Sequence, residues 1–195
     1  MSKGQETKRA ILDEAVGIAS RVGFIGLTIG QLAESTEMSK SGLFAHFKSK
    51  EALQLETLER GRERFTDIVI RPTLRAPRGI ARVRELFESW LEWETVALQG
   101  GCIFVAGSIE YDDQPGPMRD ALVRNQQDWA EFIATVAGTA VSEGNFMADL
   151  DTEQFAFTLQ GLMYAYHHSS RLLRDPRALD LTKAALEQLL EASSA

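Results

Sequence analysis

The sequence predicts an all-helical (all-α) protein with an N-terminal three-helix, helix-turn-helix head and a C-terminal helical body, on three observations. Apolar residues recur at helical spacing through almost every segment, and no stretch alternates apolar and polar residues between turn signals as a half-buried strand would. Ser, Thr and Asp stand at the starts of several apolar runs, where their oxygens can accept from the first free helical N–H groups. Near the start, two short helices joined by a three-residue turn lie between two longer ones.

Taken in order, Ile11, Ala15, Ile18 and Val22, with Leu12 and Ala19 beside them, form the stripe of the first helix. Gly23 falls where a left-handed C-terminal cap belongs. Thr28-Ile29-Gly30-Gln31 fits a capping box with Leu27 and Leu32 as its hydrophobic staple, so a second helix should run from Thr28 to about Ser35. Thr36-Glu37-Met38 allows only a tight turn before Ser39 caps a third helix, which carries Leu43 and Phe47 on one face. Ser49 caps a long fourth helix through Leu53, Leu58, Phe65 and Ile68, and Pro72 is expected to end it by restricting Arg71. The stretch from Pro72 to Gly79, solvated by Arg71, Arg75 and Arg78, is the expected boundary. It separates a head at residues 1–48 and a connecting helix and linker at 49–78 from a body at 79–195.

In the body, Ile80 to Leu98 reads as one helix bearing Val83, Phe87, Trp90, Leu91 and Trp93, ended by Gly100-Gly101. Ile103 to Glu110 forms a short helix. Pro117 suits a first helical position and opens a long segment with Leu122, Trp129, Ile133, Val136 and Ala140 on one stripe, closed by Gly144. Asp151 and Gln154 resemble a capping box starting a helix to about Leu173. Asp175-Pro176 is expected to cap the last helix, whose stripe is Leu179, Thr182, Leu186, Leu189 and Leu190.

Composition narrows the function classes. The 195 residues are 44% hydrophobic and 25% charged, ordinary globular material with enough length for one substantial core or two small ones. The longest apolar or glycine run, Gly100 to Gly107, is far short of the roughly 20 residues of a membrane helix. Met1 to Arg9 is polar with no apolar segment behind it, and the single cysteine, Cys102, cannot form an internal disulfide. A cytoplasmic location and no membrane partner are expected. The net charge of -7 is unevenly spread: residues 1–65 carry ten basic and nine acidic groups, the remainder eleven and nineteen. Met38 to Lys50 holds Lys40, Lys48, Lys50 and His46 and no carboxylate, an anion-binding end on an acidic body.

That basic stretch coincides with the third helix. A recognition helix presents its first turns to the major groove while its other face is fixed to the preceding helix, here through Leu43 and Phe47. Ser39, Lys40, Ser41, Phe44, Ala45 and His46 then face outward, and Lys48 and Lys50 stand at the start of the fourth helix, where ammonium and free N–H groups meet phosphate oxygens. Each residue also has a plainer reading. Thr28 serves as a helix cap whether or not it touches phosphate, the lysines also fit a solvated basic face, and His46 is either a surface histidine or a phosphate or base contact.

With these residues in view, the first 55 or so positions resemble the N-terminal domain of the tetracycline-repressor (TetR) family of bacterial transcriptional regulators. The likeness is carried by Val22-Gly23-Phe24, Leu27-Thr28-Ile29, Gln31-Leu32-Ala33 and above all the run Met38-Ser39-Lys40-Ser41-Gly42-Leu43-Phe44-Ala45-His46-Phe47-Lys48-Ser49-Lys50-Glu51-Ala52-Leu53. Beyond it, only the helix pattern and length agree. The resemblance implies that Thr28 and Lys50 hold phosphates and that Ser39 to His46 lie at the groove. Phe44 stands where the family usually has a tyrosine whose hydroxyl meets a phosphate, and Ala45 often corresponds to a larger contact residue, so fewer direct hydrogen bonds should come from mid-helix. The resemblance also implies a homodimer paired through the last two helices, an inverted-repeat operator in double-stranded DNA, and a body cavity for a small-molecule effector that relieves repression.

Phe87, Trp90, Phe104, Trp129, Met163 and Tyr166 are the expected cavity lining, although most such stripes are plain core. Their aromatic character points to a hydrophobic or aromatic effector. Glu94, Cys102, Glu110 and His167 are possible polar handles, and each also fits a surface or internally satisfied role. His167 and His168 diverge on a helix and make a poor metal pair; no cofactor or metal is called for. A Gly-rich phosphate loop and a G-x-S-x-G elbow are missing, which argues against an enzyme. A helix-turn-helix regulator without an effector, and a small-molecule enzyme on a helical scaffold, stay open as alternatives.

Overall fold

The computed structural model describes residues 3–195. Met1 and Ser2, at the start of the polar segment without a leader pattern, lie outside the described residues. No strand occurs among the described residues, and Phe146 and Ser194 form one isolated antiparallel bridge.

In the head, α1 (Lys3–Gly26), α2 (Ile29–Thr36), α3 (Lys40–His46) and α4 (Lys50–Phe65) follow the local signals closely. Both halves of the capping box at Thr28 form, with the Gln31 amide donating to Thr28 Oγ1 and the Thr28 amide to Gln31 Oε1, each at 3.2 Å. Ser39 Oγ accepts from the Gly42 amide at 3.1 Å and Ser49 Oγ from that of Ala52 at 3.0 Å. Each cap contributes on the order of 1 kcal/mol to its helix.

Several expectations change. Gly23 does not cap α1 in the left-handed region: its φ of 75° is paired with an extended ψ of 171°, and the helix resumes for one short turn to Gly26. Pro72 does not end the helical run either, because α4 passes into a π-helical turn, Thr66–Ile70, from which Arg71–Arg75 continues as α5. Pro72 thereby stands in the first turn of α5. The helix from Ile80 is regular only to Glu92 (α6) and turns π-helical over Trp93–Ala97. The last helix, α10 (Ala178–Ser193), has Arg177 at its cap position without a side-chain cap bond, while Asp175 is engaged one turn earlier by the Arg177 amide and guanidinium.

Of the remaining elements, α7 (Ile103–Glu110) and α8 (Pro117–Ser142) match the expected spans. Helix α9 (Thr152–His167) ends in a third π turn, His168–Leu172. Asp151 Oδ1 caps α9 through the amides of Glu153 and Gln154, whereas the Gln154 side chain reaches Thr158.

The chain divides into two compact units. The first contains residues up to Thr66 together with Glu94–Val123. Its head core includes Ile11, Ala15, Leu27, Leu32, Leu43, Phe47 and Leu53, all buried, each of the large side chains other than Ala15 being worth about 1.5–3 kcal/mol. Buried Arg60 on α4 binds both oxygens of Asp13 on α1, at 2.9 and 3.0 Å. Burial opposes its charge, but the bonds to Asp13 and Glu63 outweigh that and raise its pKa. The second unit contains Asp67–Trp93 and Arg124–Ala195. In it, Arg84 and Glu88 of α6 pair with Glu187 and Lys183 of α10, and Asn145 Oδ1 accepts from the Ile80 amide at 2.9 Å to start α6.

Candidate nucleic-acid interface

The outward face of the head is set by what its inner face buries. Leu43 and Phe47 are fully buried in the head core and anchor α3 against α2, while Lys8 Nζ lies 5.5 Å from the centre of the Phe47 ring. Fixing those two leaves Ser39, Lys40, Ser41, Phe44 and Ala45 exposed, with His46 half-buried beside Phe47. Phe44 is 56% exposed, a large aromatic surface left in water.

Around this face the lysines are spread over three elements. Lys40 begins α3, and its Nζ lies 3.9 Å from where a Cβ on Gly30 would stand, so α2 and α3 bring their first turns together. Thr28 is exposed at that same end of α2. Lys48 is exposed in the turn after α3. Lys50 opens α4 and donates to the Ile25 carbonyl at 2.6 Å, which leaves two of its three N–H groups for an anion. Ser39 Oγ caps α3 and lies 3.1 Å from Ser41 Oγ, a coupled hydroxyl pair on the exposed face. The arrangement can hold two or more phosphates and present one short helix to a groove.

A family description reading "Bacterial regulatory proteins, tetR family" matches residues 11–57, and "Tetracyclin repressor-like, C-terminal domain" matches residues 79–186, more than half of the chain. The chain belongs to the tetracycline-repressor (TetR) family. It is a TetR-family transcriptional regulator. The HTH-type transcriptional regulator UidR of Escherichia coli K12 is 27% identical over 189 residues, covering 94% of this chain and 88% of that protein. Among solved structures, a TetR-family regulator from Cytophaga hutchinsonii superposes with a TM-score of 0.86 at 18% identity, covering 100% of this chain and 98% of the other. AibR, in complex with isovaleryl coenzyme A and operator DNA, gives 0.72 at 19%, covering 94% and 97%.

For this TetR-family chain, the aromatic residues expected to line a cavity fall in both units. In the second, Phe87, Trp90, Met163 and Tyr166 are buried; the Trp90 ring meets Tyr166 edge-on at 5.9 Å and lies 6.2 Å from Phe87. Trp129 is half-buried and stacks on Phe132 at 5.9 Å. Phe104 belongs to the first unit and packs edge-on against Phe65 at 5.4 Å. A surface groove of about 420 Å³ between α1 and α4, lined by residues such as Gln5, Lys8, Glu56 and Glu63, includes none of these six.

Two of the possible polar handles are engaged inside the first unit. Glu94 is buried and accepts from the Cys102 amide at 2.6 Å. Glu110 accepts from the amides of Phe24 and Ile25, at 2.8 and 3.4 Å. Gln54, unremarked in the sequence, donates to the Phe24 carbonyl at 2.6 Å. No local pattern signals these bonds, because the Glu110 partners lie 86 and 85 positions away. Beside them, burial raises the pKa of the Tyr111 hydroxyl, reinforced by the charges of Glu110 and Glu51 and opposed by its bond with Gln54.

Proposed function

We propose that this regulator is a homodimeric repressor that binds an inverted-repeat operator through Ser39 to His46 and releases it when a small hydrophobic or aromatic molecule enters the second unit. One observation carries the reading. The carboxylate-free stretch Met38 to Lys50, with Lys40, Lys48 and Lys50, surrounds an exposed face whose reverse is locked into the core by Leu43 and Phe47. Thr28, Lys40, Lys48 and Lys50 serve as phosphate contacts, and Ser39, Ser41, Phe44 and His46 read the groove. Phe44 offers apolar contact to a thymine methyl where a hydroxyl would have bonded phosphate.

The dimer reading is supported by apolar groups left in water along α9, the turn after it and α10: Phe157, Leu172, Leu173, Leu179 and Leu181. A two-fold pairing of these helices would cover part of that apolar surface and present two heads to two half-sites. Effector binding in the second unit is supported by the cluster of Phe87, Trp90 and Tyr166. AibR offers a precedent for one such protein meeting both an acyl coenzyme A and an operator. An effector releases DNA only by binding the DNA-incompetent arrangement more tightly, and a hundredfold preference supplies about 2.7 kcal/mol.

The test begins by enriching duplexes from a randomised pool with the wild-type protein. Lys40→Ala and Lys50→Ala should each lower affinity for all duplexes alike and reduce the slope of log K against log salt by about 0.9. Ser41→Ala and His46→Ala should instead change which bases are enriched. Unchanged slopes and unchanged sequences in folded variants would remove α3 and its lysines from the interface.

A further inference from the structure

We propose that Glu110 is a positioning residue for DNA binding: its carboxylate, holding the Phe24 and Ile25 amides, fixes the turn from which the helix-turn-helix hangs. The inference rests on the DNA-binding reading above and adds to it the residue through which the segment Glu94–Val123 sets the pose of the head.

The argument starts at Gly23. With φ at 75° and ψ at 171°, Gly23 breaks α1 and deprives the next amides of their helical partners. Glu110 Oε2 replaces those partners at 2.8 Å for Phe24 and 3.4 Å for Ile25. The carbonyls of the same two residues are taken as well, that of Phe24 by Gln54 Nε2 and that of Ile25 by Lys50 Nζ, both at 2.6 Å. All four backbone groups of Phe24 and Ile25 are therefore held by side chains from α4 and α7. Gly23 leaves the room this needs, since a Cβ there would stand 1.5 Å from Glu110 Oε1.

The grip extends along α7 and the loop before it. Gly107 lies against the Phe24 ring, and the Gly100 amide donates to Ser20 Oγ at 3.1 Å. Leu27 and the Thr28 cap follow the turn directly, so any rotation there is carried into α2 and α3. Lys50 is anchored to the same turn, which ties a phosphate contact to the orientation of the head. A carboxylate bonded to two amides at a helix break is charge-assisted and geometrically demanding, unlike an exposed ion pair whose loss reorients nothing.

The test uses the duplex that the wild-type full chain enriches from a randomised pool, and the same duplex with one base pair inserted between its half-sites. Glu110→Gln retains one acceptor oxygen, and Glu110→Ala retains none. Both variants should melt cooperatively and exchange the Phe24 and Ile25 amides faster than wild type. Affinity for the enriched duplex should fall about tenfold in Glu110→Ala and less in Glu110→Gln. The decisive readout is spacing: the wild-type penalty for the inserted base pair should shrink in both variants, because a loosened head accommodates either separation. If both variants keep wild-type affinity, or lose the same factor on both duplexes with the spacing penalty intact, Glu110 only stabilises the fold and the proposal is wrong. A wild-type protein that enriches no sequence refutes the DNA-binding reading itself and the positioning role with it, an outcome recognised before any variant is made.

Discussion

At the scale of single residues, three glycines separate close approach from mere helix content. A Cβ on Gly100 would stand 1.8 Å from the Ser20 carbonyl oxygen and 2.4 Å from the Arg21 amide nitrogen, both backbone atoms that cannot swing away. Gly100→Ala should destabilise the protein by about 3 kcal/mol or more in urea unfolding. At Gly61 the obstacle is only the tip of the Ile103 side chain, which can rotate. Gly138, inside α8 with nothing within 4 Å of its virtual Cβ, should give the opposite sign: Gly138→Ala gains about 0.5–1 kcal/mol of helix propensity. A neutral Gly100→Ala would mean that the loop does not rest on α1. Legibility at this scale follows range. Thr28, Ser39 and Ser49 could be assigned because each cap oxygen and the amide that donates to it lie within three positions. Glu110 on Phe24, Gly100 on Ser20 and Gln54 on Phe24 are encounters between distant segments, for which a single sequence carries no periodic or capping signal.

Among elements, helix starts were easier to read than helix ends. The apolar stripes of α4, α6 and α9 continue smoothly into their π turns, since side-chain spacing hardly registers a change from i+4 to i+5 bonding. For the same reason Pro72 looked like a terminator when the backbone had already changed pitch ahead of it. Between elements, the contact of α6 with α10 includes Arg84, whose guanidinium grips both oxygens of Glu187. The hydrogen bond from Arg84 holds the Glu187 carboxyl below its ordinary value, with the guanidinium charge adding to it. A depressed carboxylate stabilises the fold above its unfolded pKa of about 4.3, and that contribution is lost as pH falls through the folded value. Both groups are roughly half exposed, so the coupling should be about 0.5 kcal/mol at pH 7. A double-mutant cycle of Arg84→Met and Glu187→Gln, measured from pH 7 down to the lowest pH at which the protein remains folded, should show that coupling shrinking below pH 5. A coupling that grows on acidification would contradict the assignment.

For the whole molecule, the choice of substitution decides what an assembly experiment reports. Phe155 and Leu186, on the expected interface helices, are buried within the second unit, so charges there would break a core. Phe157 and Leu181 are 73% and 55% exposed and can be changed without that damage. Phe157→Glu and Leu181→Glu should keep the wild-type melting behaviour of a folded chain at the protomer level and sediment as monomers at micromolar concentration, with operator affinity lost. Dimers that persist in both variants would move the interface elsewhere.

The single cysteine of the chain gives the first unit a clock. Cys102 is 2% exposed, directly after the Gly100-Gly101 loop, and its amide is fastened to the buried Glu94. A thiol reagent can reach it only when the segment lifts from α1, so the labelling rate counts openings rather than collisions. If an opening costs about 4 kcal/mol, modification should run roughly a thousandfold slower than for an exposed thiol. Ellman's reagent under native conditions would measure it, and reaction at the exposed-thiol rate would show that the segment lies open in solution.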